Sequence, residues 1–161
     1  MNYHPEQTEK VQQIINDWLD EFMFSHYFTI KVPLGAYKSG FDGSYKILRK
    51  IVKRFEKELV GRHWNKNPVH FIGIAELGER KIWHWHLLLW GHKYTDEQLQ
   101  TALIKTRDYM ELSENTLDIR PITYTPSRLN GYNTKEIIAD HHGRFNTDRI
   151  ICSDIIFDLP D

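Results

Sequence analysis

At 161 residues the chain has the length of one domain and enough residues for a real hydrophobic core. A hydrophobic content of 40% and a charged content of 27% are those of a soluble globular protein, and a formal net charge of −1 excludes holding nucleic acid by the overall field, leaving only local basic patches. The single cysteine, Cys152, excludes an internal disulfide framework and fits a reducing compartment. Met1 to Lys10 is polar, with no signal-peptide core, and no apolar run is long enough to span a bilayer. The expected location is the cytoplasm, or the nucleus of a eukaryotic host.

No repeat, linker or low-complexity segment divides the chain, so residues 1–161 read as a single domain. Over residues 7–24, Val11, Ile14, Ile15, Trp18, Leu19 and Phe22 recur at helical spacing, predicting a helix packed on the domain or offered to a partner. Residues 26–33 predict a first strand ended by Pro33, and residues 34–44, with three glycines, a loop. Residues 45–60 predict an amphipathic helix with Ile47, Leu48, Ile51, Val52, Phe55 and Leu59 as its core stripe. Lys46, Lys50, Lys53 and Lys57 line its other side beside Arg49 and Arg54, a row that either touches phosphates or is a solvated face diluted by Glu56 and Glu58.

Strands follow at 69–77 and 82–90, joined by Gly78-Glu79-Arg80-Lys81 as a hairpin. Residues 95–108 predict a helix with Thr95 as N-cap, residues 117–123 a fourth strand, residues 127–139 a short helix, and Ile150 to Phe157 a last strand. The order β-α-β-β-α-β, with helices over one face of an antiparallel sheet, is that of a ferredoxin-like α+β domain.

The chemistry concentrates in Trp83-His84-Trp85-His86-Leu87-Leu88-Leu89. Side chains alternate along a strand, so His84 and His86 share one face while Trp83, Trp85 and Leu87 take the other. Two neutral imidazoles at that spacing can hold one metal ion; the alternative is a pair of hydrogen-bonded core histidines. If Gly78 pairs with Ile82, Glu76 lies directly opposite His84 and joins the pair on the same face. Two histidines and a carboxylate leave coordination positions open for substrate oxygens and water. A slip of one residue would carry Glu76 to the other face. On the short helix, Tyr132, Lys135 and Glu136 share a face, placing a phenolic hydroxyl beside an ammonium. His141 and His142 read as a polar loop pair.

Together these pieces resemble the rolling-circle replication initiators and their relatives, the endonucleases named for a His-hydrophobe-His motif. The resemblance covers residues 26–140: Phe28-Thr-Ile-Lys-Val is similar to the family's first motif, Glu76 stands eight residues before the first histidine, and the Tyr-x-x-Lys element is Tyr132-Asn133-Thr134-Lys135. The tyrosine follows the histidine pair, as in replication initiators and single-tyrosine transposases and unlike conjugative relaxases. The resemblance implies a metal-dependent, strand-specific DNA nicking and joining enzyme. In it Tyr132 would be the nucleophile, Lys135 its electrostatic helper, and Glu76, His84 and His86 the ligands of Mg²⁺ or Mn²⁺, with Glu136 a further candidate ligand. The implied partner is single-stranded DNA at an origin or hairpin. No Gly-x-x-x-x-Gly-Lys-Ser/Thr occurs, so unwinding would fall to a separate helicase. A single-strand transposase is the alternative within the class. Outside it stands a non-catalytic RNA-binding type of module that stacks bases on Trp83 and Trp85. A zinc hydrolase using the histidine pair lacks the helical His-Glu-x-x-His spacing.

Overall fold

The computed structural model describes residues 24–32, 40–78, 82–123 and 150–153, together with Lys10, Gln13, Ile14 and Asp17. Those four are helical, within the expected 7–24 helix, and Gln13 donates to Asp17 one turn on at 2.6 Å. The remainder of that helix and the expected 127–139 helix lie outside the described residues, as does all but the start of the expected last strand.

In chain order the elements are β1 (His26–Lys31), α1 (Gly40–Val60), a short 3-10 turn (Gly61–His63), β2 (Phe71–Leu77), β3 (Trp83–Leu89), α2 (Asp96–Tyr109), β4 (Leu117–Pro121) and β5 (Ile150–Cys152). The strands form one sheet in the order β4-β1-β3-β2-β5, and every neighbouring pair is antiparallel. The first four strands have the ferredoxin-like arrangement expected from the element order, and β5 extends the sheet beyond β2.

Alternation along the strands sorts the side chains into two faces. Phe28, Ile30, Ala75, Trp85, Leu87, Leu117 and Ile119 are buried in the main core, where they meet Leu48, Ile51, Val52 and Phe55 of α1 and Leu99, Ala102 and Leu103 of α2. Both helices present apolar residues at three- and four-residue intervals, so the period of each stripe matches the surface it covers. The second face carries His84 and His86, and farther along it a smaller cluster of Phe24, Ile72 and Leu88.

α1 begins at Gly40, so the expected loop over 34–44 is corrected: its last five residues are helical. Two glycines in five residues disfavour a helix by roughly 1 kcal/mol each. Contacts with the sheet outweigh that cost. Phe41 packs on Trp83 and Trp85, at centroid separations of 5.2 and 5.6 Å. Ser44 accepts a 2.6 Å hydrogen bond from the buried Trp85 indole N–H, which would otherwise be left unpaired in the core.

α2 starts where its cap predicts. The Thr95 hydroxyl accepts from the Gln98 backbone N–H at 3.2 Å and the Gln98 side chain accepts from the Thr95 N–H at 2.9 Å, a reciprocal capping box. The two helices are tied by the Arg54 guanidinium, 3.4 Å above the Tyr109 ring and paired with Glu58.

Candidate metal centre

The site is built on the β2–β3 hairpin. Gly78 N–H donates to the Ile82 carbonyl at 2.9 Å, which closes the turn and fixes the register. Glu76 then falls opposite His84 and Ile74 opposite His86. This is the pairing that puts all three polar side chains on one face. The ligand atoms of Glu76, His84 and His86 all lie within 4.8 Å of one another. Glu76 Oε2 is 2.8 Å from His86 Nε2, and neighbouring ligands of a divalent ion at about 2.1 Å are themselves about 3 Å apart in octahedral geometry. Two imidazoles and one carboxylate in this arrangement are a donor set that fits such an ion. His86 is 7% exposed and Glu76 and His84 are half-buried, so the ligand atoms stand in a shallow recess that substrate can reach.

The electrostatics suit ligation. Burial first, and the neighbouring Lys31 ammonium second, push the His84 imidazole below its ordinary value, while Glu76 pulls it the other way. The balance favours the neutral ring, the form that binds metal. Lys31 is there because β1 lies on the far side of β3: Lys31 pairs with His84 and Thr29 with His86. Thr29 Oγ1 is 3.5 Å from His86 Nδ1, and the Tyr27 ring stacks on the His86 ring at 5.5 Å with an interplanar angle of 16°. Sequence reasoning did not single out Tyr27, Thr29 or Lys31. The signal for them was the ferredoxin-like strand order, which sets β1 beside β3, but the register of that pairing has no turn to fix it.

Thus the structure brings together Glu76, His84 and His86 as expected. Tyr132, Lys135, Glu136, His141 and His142 lie outside the described residues. Against this geometry, a family model for the replication-associated protein ORF2 group matches residues 28–137. The chain belongs to the replication-associated protein ORF2 family. This is a family of rolling-circle replication initiators, and DNA at a replication origin is the partner it implies. The matched span opens on Phe28 of the first-motif strand, contains the triad and closes one residue after Glu136. Searches among curated proteins and among solved structures give no significant match.

Two readings are corrected by the fold of this family member. The base-stacking platform on Trp83 and Trp85 is ruled out as drawn: Trp85 is wholly buried beneath α1 and Trp83 is packed edge-on against Phe41, so neither offers a free face. The basic row of α1 also stands apart from the triad. α1 covers the Trp face of the sheet, and Lys46, Lys50 and Lys57 are exposed on its outer side, with the sheet between them and the histidines.

Proposed function

We propose that this chain is a metal-dependent, site- and strand-specific single-stranded DNA endonuclease and ligase that initiates rolling-circle replication of a plasmid or virus. The observation that carries the reading is the convergence of Glu76, His84 and His86 on one point in a chain of this family. Those three side chains would hold Mg²⁺ or Mn²⁺, with Glu136 a further candidate ligand. A divalent cation held there supplies positive charge to a non-bridging oxygen of the scissile phosphate and orients it.

The Tyr132 hydroxyl gives up its proton and attacks phosphorus. The bond from phosphorus to the 3′-oxygen breaks, and that oxygen takes a proton to become a free 3′-hydroxyl. The downstream strand stays on Tyr132 through a 5′-phosphotyrosine. One phosphoester replaces another, so the reverse attack by a 3′-hydroxyl rejoins the strand without ATP. A phenol with an ordinary pKa of about 10 is a poor nucleophile at neutral pH. Lys135, three residues along the expected helix, offsets the negative charge that develops on the phenolic oxygen. A separate helicase would open the duplex.

The test uses a pool of 3′-labelled single-stranded oligonucleotides with a randomised centre. With Mn²⁺ the wild type should yield a denaturation-resistant labelled band, because the 3′-terminal fragment is the one bound to protein. Chelation by EDTA, or His86→Ala, should remove that band. A band unaffected by both, or no band from the wild type with Mn²⁺, would overturn the reading.

A further inference from the structure

A metal-ligating histidine has to present a lone pair on one ring nitrogen and therefore carry its proton on the other. In His86 the nitrogen nearest Glu76 is Nε2, at 2.8 Å. Without metal, the short contact with the Glu76 carboxylate is satisfied when Nε2 carries the proton and donates it. Nδ1 then has a lone pair to be filled by a donor. With metal on Nε2 the proton has to move to Nδ1, which then requires an acceptor. The group beside Nδ1 is the Thr29 hydroxyl, at 3.5 Å. A hydroxyl is both donor and acceptor and rotates between the two. A carbonyl or an ammonium in its place would serve one tautomer and oppose the other.

We infer that Thr29 is a positioning residue for the metal centre: its hydroxyl accepts the Nδ1 proton of His86 in the loaded site and donates to Nδ1 in the empty one, letting His86 turn its Nε2 lone pair to the ion. The inference rests on the metal-site reading above. Its geometry is held from two sides. Thr29 pairs directly with His86 across β1 and β3, and Tyr27, two residues earlier on the same face, stacks flat on the imidazole. The ring plane is thereby fixed by Tyr27, and the choice of protonated nitrogen is left to Thr29 and Glu76. No proton is taken up or lost overall in the change of tautomer. The 3.5 Å separation is at the long limit for a hydrogen bond, so the contact is weak in the metal-free form and free to tighten on loading.

Thr29→Val keeps the branched shape and the strand preference and removes only the hydroxyl. Loss of such an outer partner lowers metal affinity by about tenfold or more. Titration of Mn²⁺ into the full chain should show that loss for Thr29→Val, and Thr29→Ser should restore most of the affinity. With Zn²⁺ as a diamagnetic probe, long-range ¹H–¹⁵N spectra of the wild type should show the His86 proton moving from Nε2 to Nδ1 on loading. Thermal melts of all three proteins separate this from a folding defect, because the serine variant must regain affinity whatever its stability. Wild-type affinity in Thr29→Val, or a loaded wild type in which His86 keeps its proton on Nε2, overturns the role of Thr29 alone. Failure of the wild type to bind Mn²⁺ at all overturns the metal site and this inference with it.

Discussion

Glu56 shows how one buried group couples this fold to pH. It is 1% exposed on α1; one carboxylate oxygen accepts the Val69 N–H at 2.7 Å, and the other has no hydrogen-bond partner among the described residues. Burial pushes its pKa from 4.5 up to about 8, against the lowering effects of the Val69 hydrogen bond and the Lys53 ammonium. Below pH 4.5 folded and unfolded chains both hold the proton and the group is neutral in its effect on pH dependence. Between 4.5 and about 8 the unfolded chain ionises while the folded chain stays protonated, so stability falls as pH rises, and above 8 the loss is complete. Glu56→Gln keeps the acceptor for Val69 and removes the titration. Its denaturation midpoint should fall less than that of the wild type between about pH 5 and pH 8, by on the order of 1 kcal/mol or more. Parallel pH profiles for the two proteins would mean that Glu56 is not held protonated by the fold.

At the level of elements, the β2–β3 hairpin depends on Gly73. A Cβ there would stand 2.4 Å from Leu87 Cδ2 and within 3 Å of two side-chain atoms of Ile151, so the glycine is what lets β3 and β5 close over the middle of β2. Gly73→Val should destabilise the fold by roughly 1–3 kcal/mol through overpacking, read as a lower denaturant midpoint. An unchanged midpoint would show that Leu87 and Ile151 repack freely. This hairpin was also the most legible part of the chain, for a physical reason. Its short turn fixes the register, and the apolar Trp83, Trp85 and Leu87 leave one side of the strand for His84 and His86, so the place of Glu76 follows by counting. The capping residues made Thr95 legible as the start of α2 in the same way. The beginning of α1 was not legible. Gly40 and Gly43 carry a local preference for loop, and what overrides it is the distant indole of Trp85 on Ser44. The β1 neighbours of the triad were hidden for a related reason: Thr29 and Lys31 meet His86 and His84 through pairing between strands more than fifty residues apart.

At the scale of the whole molecule, the sheet divides the labour. One face takes both described helices and most of the buried apolar side chains, so its stability does not depend on the polar triad. The other face carries the triad, with Lys31 beside it, in a protein whose net charge is only −1. DNA should therefore be held by local contacts on that face and not by the overall field. The central claim is that a strand held there is attacked by Tyr132. The direct measurement is mass spectrometry of the peptide that carries DNA after the wild-type chain is incubated with Mn²⁺ and the single-stranded pool, then digested with nuclease and protease. The modified peptide should contain Tyr132 bearing a 5′-nucleotide through its phenolic oxygen, and Tyr132→Phe should yield none while still binding Mn²⁺. A nucleotide on Tyr27, which lies against His86, or on any other tyrosine would contradict the account.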